Sequence, residues 1–265
     1  MRMLNRISDV ARPQIRNVVR SKWLFFYVLF FAVTTEGLLR FSGDDTRTLL
    51  SITNVVLFVV PLMTLVYGTI YLYGSREFIE LLLAQPLKRR SVFAGLYVGL
   101  ALPLAASFII GVSLPFVIHG IDPAARAGLF TMLGGGTALT FIFTGIAFCV
   151  ALRFDDRLTG LGAGLAVWLL LALVYDGAML MIIATTSGKA MEKSLLAASI
   201  ANPIDLIRIA LLIQFDVSAL MGYTGAVFTR FFSGAGGMMV IASAIIAWIG
   251  APLAAGFISF ERKNF

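Results

Sequence analysis

The sequence predicts an all-α integral membrane protein with six transmembrane helices. Of its 265 residues, 59% are hydrophobic and 13% are charged, whereas soluble domains carry about 25% charged residues. The mean hydropathy is +0.93. Crossing a bilayer requires about 20 apolar residues, and runs of that length occur at 23–41, 49–73, 92–118, 127–152, 158–184 and 236–260. We therefore expect one transmembrane domain over residues 1–265, with no additional soluble domain.

The segment 1–22 before the first span is predicted to form an amphipathic helix on the membrane surface. Apolar residues recur at helical spacing from Leu4 to Val19, and arginines occupy the other face. Pro13 is expected to bend this helix. A membrane anchor and a surface that docks a partner are both consistent with the pattern. No small-residue cleavage site precedes the first span, so this span is expected to be retained.

The basic residues predict the orientation of the chain. They concentrate before the first span, after the second, after the fourth and after the sixth, and the short loops between these positions hold few. Since cytoplasmic loops are enriched in Lys and Arg, both termini are predicted to be cytoplasmic. The net charge of +7 then reflects contact with the lipid bilayer, and no nucleic-acid partner is expected.

The segment 74–91, between the second and third spans, is predicted to form a short cytoplasmic helix. Acidic residues open it and basic residues close it, as the helix dipole favours, and Pro86 is expected to end it. Phe78 and Leu82 are expected on an exposed apolar face. This pattern is typical of a docking surface, and an ordinary interfacial turn is the alternative. The expected docking residues are Arg76, Glu77, Phe78, Glu80, Leu82, Pro86 and Arg89.

The fifth span contains an ionisable residue, Asp176. A carboxylate at the centre of a bilayer costs about 2.5–3.5 kcal/mol, so such a group normally faces a cavity or a partner. Asp176 is therefore expected to mark a translocation path together with Tyr175 and Met179. The alternative is that Asp176 lies close enough to the outer interface to be solvated or paired with a base. The nearby methionines favour apolar packing over a soft-metal site, because no cysteine or histidine accompanies them.

The segment 185–235 is predicted to form interfacial helices on the outer side. Asn202 is expected to cap a helix that has Pro203 at its first position. This helix is too short to cross a membrane, so it is expected to lie at, or dip into, the outer interface. Gating of the outer mouth, binding of a periplasmic partner and a plain structural lid are the possible roles. The residues expected to act here are Asn202, Pro203, Asp205 and Arg208.

Motifs of enzymes are absent from the sequence. It has no Gly-rich phosphate loop, no GxSxG and no HExxH, and it contains one histidine and one cysteine. We therefore expect no catalysis and no bound metal or cofactor in this chain, and uphill transport would need energy from another chain. A secondary transporter driven by an ion gradient often shows internal repeats, and no convincing repeat is evident here.

The combination of features resembles an ABC-2 type permease over the full length. It consists of the six spans, the basic N-terminal helix, the sequence ELLLAQPLKR at 80–89 and the long outer segment. Within the family, the chain is most similar to the NosY-type permeases of the nitrous oxide reductase maturation system. The residues that suggest this are Val167-Trp168-Leu169-Leu170, Tyr175-Asp176, Asn202-Pro203, Asp205 and Arg208. Members often carry Glu-Gly-Thr where this chain has Arg76-Glu77-Phe78.

The resemblance implies an ATP-driven exporter or mechanical transducer in the bacterial inner membrane. ATP and magnesium would be held by a separate nucleotide-binding subunit docked on residues 74–91. A second permease copy, expected as a homodimer, and a periplasmic accessory protein would complete the complex. The cargo would be a copper or sulfur component of the copper site. An ABC-2 exporter of another substrate and a non-transporting membrane scaffold for a periplasmic assembly are the alternatives.

Overall fold

The computed structural model describes residues 2–185, 188–215, 231–232 and 234–263, and these are almost entirely helical, with no strand among them. The helices are α1 Arg2–Val19, α2 Lys22–Ser42, α3 Asp45–Gly74, α4 Arg76–Leu83, α5 Arg89–His119, α6 Arg126–Arg153, α7 Arg157–Leu169, α8 Tyr175–Thr185, α9 Gly188–Ala201, α10 Pro203–Gln214 and α11 Ala235–Arg262. A π-helical segment, Leu170–Val174, joins α7 to α8.

In the part of the chain that the structure describes, six helices are long and apolar enough to cross a membrane: Lys22–Ser42, Asp45–Gly74, Arg89–His119, Arg126–Arg153, Arg157–Met181 and Gly236–Arg262. The predicted fold class and the number of spans are thereby confirmed. The spans end where the sequence places charges or turns. Gly43, between α2 and α3, and Gly120, after α5, have φ angles of 65° and 81°, a left-handed region that glycine enters without steric cost.

The middle spans form the core and the remaining ones lie at the periphery. In the most apolar stretch of α6, 72% is buried inside the protein, whereas in that of α11 only 11% is buried. The core residues around α6 include Phe108, Leu139 and Phe143, all fully buried. Spans with so little protein around them leave most of their apolar surface to lipid or to another chain.

The N-terminal helix α1 packs against the first turns of α5. Val10 and Gln14 are buried, and a Cβ added at Gly95 would lie 2.7 Å from the Cβ of Val10, so glycine permits the close approach of the two helices. The Tyr71 hydroxyl donates a hydrogen bond to Gln14 Oε1 at 2.7 Å. The helix runs through Pro13 without a break. Its apolar face is therefore covered by protein as well as by membrane.

Helices α9 and α10 form a bent pair, which we call the hairpin (Gly188–Gln214). Their axes meet at 114° at the break between them, where Pro203 begins α10. Along α10, Ile207 lies against Gly135 and the Phe215 ring lies against Gly128. Since Gly128 is close to the start of α6 and Gly135 is deeper, α10 leads from the membrane interior back toward the surface.

The tip of the hairpin reaches the middle of the bundle. The Asn202 side chain bonds to the carbonyl of Leu171, which lies midway between Arg157 and Thr185. The indole of Trp248, midway along α11, bonds to the Ile200 carbonyl. The sequence led us to expect a helix that lies at, or dips into, the outer interface, and in the structure the tip reaches to the middle of the fifth and sixth spans. Residues 216–230 of the predicted outer segment lie outside the described residues.

Candidate functional site

A charged cluster ties the hairpin to the fifth span. The Nη1 atom of Arg208 on α10 lies 3.0 and 3.1 Å from the two carboxylate oxygens of Asp176 on α8. The same nitrogen lies 2.6 Å from Asp205 Oδ1. Asp176 lies five residues before Met181, the end of the fifth span, or about 8 Å at about 1.5 Å per residue, so the cluster lies inside the span near one end. Asp176 is thus paired with a base, Arg208.

The three side chains differ in exposure. The Asp205 side chain is 6% exposed, that of Arg208 31% and that of Asp176 39%. Asp205 is thus enclosed by protein, whereas Asp176 borders the bundle surface. With both carboxylates ionised, one guanidinium leaves a net charge of about −1 on the cluster. The N-terminal end of α10, where Asp205 occupies the first turn, offsets part of this charge through the helix dipole.

Asn202 organises the tip of the hairpin with one side chain. Its Oδ1 accepts a hydrogen bond from the backbone N–H of Ile204 at 3.0 Å, the N-cap interaction that the sequence predicts. Its Nδ2 donates to the Leu171 carbonyl at 2.8 Å and to Asp205 Oδ2 at 3.2 Å. Asn202 is fully buried, and its amide connects the hairpin, the charged cluster and the fifth span.

Two carbonyls at the end of α9 accept hydrogen bonds from side chains of the neighbouring spans. The last carbonyls of a helix have no partner within the helix, and leaving them unpaired in a membrane costs several kcal/mol each. The Tyr175 hydroxyl donates to the Ala198 carbonyl at 2.6 Å. The Trp248 indole donates to the Ile200 carbonyl at 3.0 Å. Tyr175 and Trp248 therefore make it possible for the chain to reverse inside the bundle.

The π-helical segment lies directly beside this tip. Such segments interrupt the regular α-helical hydrogen-bond pattern and are frequent at functional sites. Leu171, whose carbonyl receives the Asn202 amide, lies within this segment. Nothing in the periodicity of the sequence marks Leu171 or Trp248, because both look like ordinary residues of an apolar span. A tryptophan in the middle of a span, where its N–H needs a partner, is the only hint the sequence holds.

The structure separates the three residues predicted to mark a translocation path. It brings two of them together with the residues predicted to act on the outer side. Asp176 belongs to the Arg208 cluster, and Tyr175 bonds to the hairpin. Met179 instead packs with an apolar cluster that contains Leu206 and Phe232. Among the described residues, no group of three or more His, Cys, Asp or Glu side chains could hold a metal ion.

On the base-rich side of the molecule, α4 presents one face and buries the other. Ile79 and Leu82 are buried against α5 and its neighbours, whereas Leu81 is 67% exposed. Glu77 and Glu80 are exposed as well. The expectation that Leu82 lies on the exposed apolar face is therefore wrong. In a helix of 100° per residue, neighbouring leucines point in different directions, and Leu82 shares the inward face with Ile79.

The helix is shorter than the segment 74–91. It covers Arg76–Leu83, and residues 84–88 form a turn that is exposed except at Leu87, which packs against the cluster beneath α4. Pro86 lies three positions beyond the helix end. Phe78 is half-buried against the cluster beneath α4. The surface available to another protein consists of the outward residues of α4 and this turn.

Two of the predicted docking residues bind the rest of the chain. Arg89 Nη1 donates to the backbone carbonyls of Phe260, Glu261 and Lys263 at 3.1, 3.0 and 2.8 Å. This guanidinium therefore caps the C-terminal end of α11 and opposes its dipole. Arg76 reaches the Phe154 carbonyl at 3.3 Å, beyond the end of α6. Both arginines hold α4 and its turn in place, which sequence spacing could not indicate.

A small ion-pair network completes this side. Asp155 lies 2.9 Å from Lys263 Nζ and 3.7 Å from Arg76 Nη2. The hydrogen bond from Lys263 lowers the pKa of the Asp155 carboxyl below its ordinary value, with a smaller contribution from the Arg76 charge. The Asp155 side chain is 86% exposed, so solvent screens these interactions strongly.

The chain matches a model of the ABC-2 family transporter protein family over residues 9–265. It is also similar to two curated proteins, each described as a probable ABC transporter permease protein NosY. The one from Pseudomonas aeruginosa is 26% identical, and the alignment covers 97% of this chain and 98% of the relative. The one from Stutzerimonas stutzeri is 26% identical over 98% of this chain and 99% of the relative.

Proposed function

We propose that this chain, which belongs to the ABC-2 transporter family, is the membrane subunit of an ATP-driven complex that matures the copper site of periplasmic nitrous oxide reductase. The chain is a permease, a transporter subunit that is not itself catalytic. The two relatives named NosY align over nearly their whole lengths, and this similarity supports the finer assignment. Copper and sulfur are the candidate cargoes. A bacterial inner membrane with both termini in the cytoplasm is the proposed location.

The observation that carries the proposal is the way α4 is attached to the spans beneath it. Its inward residues Ile79 and Leu82 are buried, and Arg76 and Arg89 bind the chain after α6 and at the end of α11. A force on the outward face would therefore move several spans together. We propose that a nucleotide-binding subunit, which holds ATP and magnesium, docks on Glu77, Glu80 and Leu81 and that its closure moves α4 as a rigid lever.

The periphery of the bundle supports a second copy in the complex. In the most apolar stretches of the fifth and sixth spans, only 22% and 11% are buried inside the protein. Large exposed residues such as Leu170 and Met239 lie on them. A homodimer that covers part of this surface is the arrangement we propose, with the hairpins of both copies on the periplasmic side, where an accessory protein would bind.

The hairpin is proposed as the gate of this complex. Its tip touches the fifth and sixth spans, and the pair Arg208–Asp176 joins it to the fifth span alone. Movement of that span relative to the hairpin has to separate Arg208 from Asp176, while Asp205 stays beside Arg208 on the same helix. Arg208 would then exchange between two sets of partners during the cycle.

The docking proposal is tested by exchanging exposed leucines for glutamine. Leu81→Gln should lower the ATPase activity stimulated by the permease at least tenfold, with normal insertion of the variant. Leu158→Gln is the matched control, because Leu158 is 78% exposed at the start of α7 on the same side. Equal activity of both variants would contradict docking on α4. If no ATP-binding subunit co-purifies with the tagged chain, the scaffold alternative replaces transport.

The finer assignment is tested in the host. A strain lacking this chain should make nitrous oxide reductase with a depleted copper site, measured by metal content and by the optical spectrum of the purified enzyme. Expression of the intact chain should restore both. A fully loaded reductase in the deletion strain would favour the alternative of an ABC-2 exporter with another substrate, while the ATPase experiment would still stand.

The proposed orientation is tested by labelling. A cysteine introduced at Asp44 should react with an impermeant thiol reagent in intact cells, and one at Lys88 should react only after lysis. The native Cys149 donates its thiol hydrogen to the Pro252 carbonyl inside the bundle, and the unmodified chain measures its background. The reverse pattern would place α4 outside and exclude docking of a cytoplasmic subunit.

A further inference from the structure

An apolar groove lies between the first and second spans on the membrane-facing surface. Its volume is about 600 Å³, and its walls come from α2, α3 and Leu104 of α5. Ligand pockets of proteins typically have volumes of about 300–1,000 Å³. A helix with its side chains is about 10–12 Å wide, so the groove suits a single flexible chain better than a span of another protein.

The mouth of the groove carries basic and aromatic residues. Trp23 and Tyr67 both line the groove, and their ring centroids are 6.4 Å apart, an arrangement typical of the membrane–water boundary. Lys22 directly precedes Trp23, and Arg20 lies two residues earlier, beyond the turn at Ser21. Both bases are exposed, and neither forms an ion pair with any described residue. They are placed to bind an anion at the mouth.

A polar group without a partner lies just inside the mouth. Tyr27 lines the groove and is 5% exposed, and its hydroxyl has no hydrogen-bond partner among the described residues. Burying a hydroxyl without a partner is unfavourable. Tyr27 lies about 8 Å along α2 from Lys22, at about 1.5 Å per residue. The long side chains at both positions bring the base and the hydroxyl within reach of one lipid headgroup region.

We propose that this groove binds one anionic phospholipid from the leaflet on the base-rich side. Arg20 and Lys22 hold its phosphate, the Tyr27 hydroxyl donates a hydrogen bond to an ester carbonyl, and one acyl chain fills the groove toward Val33. Arg16 lies one helical turn before Arg20 on the same face and adds to the positive potential. The site does not depend on ATP or on the nature of the cargo.

Native mass spectrometry of the full chain, extracted from nanodiscs that contain equal phosphatidylglycerol and phosphatidylcholine, tests this site. We expect one phosphatidylglycerol to be retained per chain. The double variant Arg20→Gln/Lys22→Gln should lower its affinity roughly thirtyfold, since each base near the surface contributes to the attraction of anionic lipid. The matched control Lys88→Gln/Arg262→Gln removes two exposed bases on the same side and should leave retention unchanged.

Two further variants test the groove itself. Val33→Trp, at a lining residue that is 62% exposed, should expel the acyl chain and abolish retention without disturbing the core. Its control is Ile110→Trp, at a position on α5 that is 54% exposed. Tyr27→Phe should weaken retention severalfold while the melting temperature of the delipidated protein is unchanged or higher.

Three outcomes would overturn the proposal. Equal retention of both lipids would show that the bases select no headgroup. Unchanged retention by Val33→Trp would show that the groove holds no acyl chain. Loss of a dimer in Val33→Trp with lipid retention intact would identify a second copy as the occupant. Because the readout is bound lipid, a negative result would leave the ATPase experiment on Leu81 untouched.

Discussion

The hairpin and α4 are both short helical elements held to the bundle by arginines, but the partners of those arginines differ. Arg208 binds the carboxylates of Asp176 and Asp205. Arg89 and Arg76 bind backbone carbonyls at or beyond the ends of α11 and α6. A carboxylate can be solvated or bind another cation when its arginine leaves, whereas a helix-end carbonyl has fewer alternatives. This difference is the basis for the proposal that the hairpin changes partners while α4 moves as a rigid lever.

The hairpin and α4 also differ in their depth relative to the membrane. Arg208 and Asp176 lie at membrane depth, where an ion pair is screened little and a separated charge is costly. The network of Asp155, Lys263 and Arg76 lies at an exposed turn. The same type of interaction therefore has a large energetic role in the hairpin and a small one beneath α4.

The largest effect is expected for Arg208→Met. It leaves Asp205, whose side chain is 6% exposed, as a buried charge without a counterion, and removing one partner of such a pair costs about 3–5 kcal/mol. We expect a lower melting temperature in detergent and less inserted protein. The triple variant Asp176→Asn/Asp205→Asn/Arg208→Met should recover most of the loss. An unchanged melting temperature in the single variant would show that the hairpin does not depend on this cluster.

The next effect tests the buried side of α4. Leu82→Ala should destabilise the protein by about 2–4 kcal/mol, since it removes a buried leucine from a packed cluster. Leu81→Ala, one residue away and 67% exposed, should change the stability by less than about 0.5 kcal/mol. Thermal unfolding of the two variants side by side measures the difference. If Leu81→Ala were the more destabilising one, the orientation of α4 described here would be wrong.

A smaller effect is expected for the arginine that caps α11. Arg89→Met removes three hydrogen bonds to backbone carbonyls and should cost about 1.5–3 kcal/mol, the range for bonds to charged groups. Arg90→Met is the control, because Arg90 contacts α11 only through an exposed ion pair with Glu261 at 3.5 Å and a cation–π contact with the Phe257 ring at 5.2 Å, each worth about 0–1 kcal/mol at an exposed site. Hydrogen exchange at residues 259–263 should rise in the first variant only. Equal exchange in both would remove the distinction between capping and surface pairing.

The smallest effect concerns the dependence on pH of the exposed network. The pKa of Asp155 is lowered in the folded protein, chiefly by its hydrogen bond from Lys263. A carboxyl with a lowered pKa stabilises the fold above its unfolded pKa, near about 4, and loses this contribution as the pH falls through the folded value. The small difference in melting temperature between the native chain and Asp155→Asn should therefore shrink as the pH falls below about 4 and vanish only below the lowered pKa of the folded protein. A difference that grew in acid would contradict this assignment.

The sequence alone was sufficient for the spans and for the start of the helix that follows Asn202. Long apolar runs leave few structures possible in a membrane, because every backbone polar group must be satisfied within the chain, and the six spans follow directly. Asn202 and Pro203 predict a helix start by local chemistry, and Asp176 was expected to have a partner because a charge in a span is costly.

Only the tertiary structure decided which residues meet. Asp176 and Arg208 are 32 positions apart and Arg89 and Lys263 are 174 apart, so no local pattern pairs them. The depth of the hairpin depends on the Leu171 carbonyl, which accepts a hydrogen bond from Asn202, and on the Trp248 indole, which donates one to Ile200. Neither bond can form until the helices approach one another. The inward direction of Leu82 likewise follows from the packing of α4 on α5. Periodicity tells which residues are apolar, but the long-range contacts determine what those residues touch.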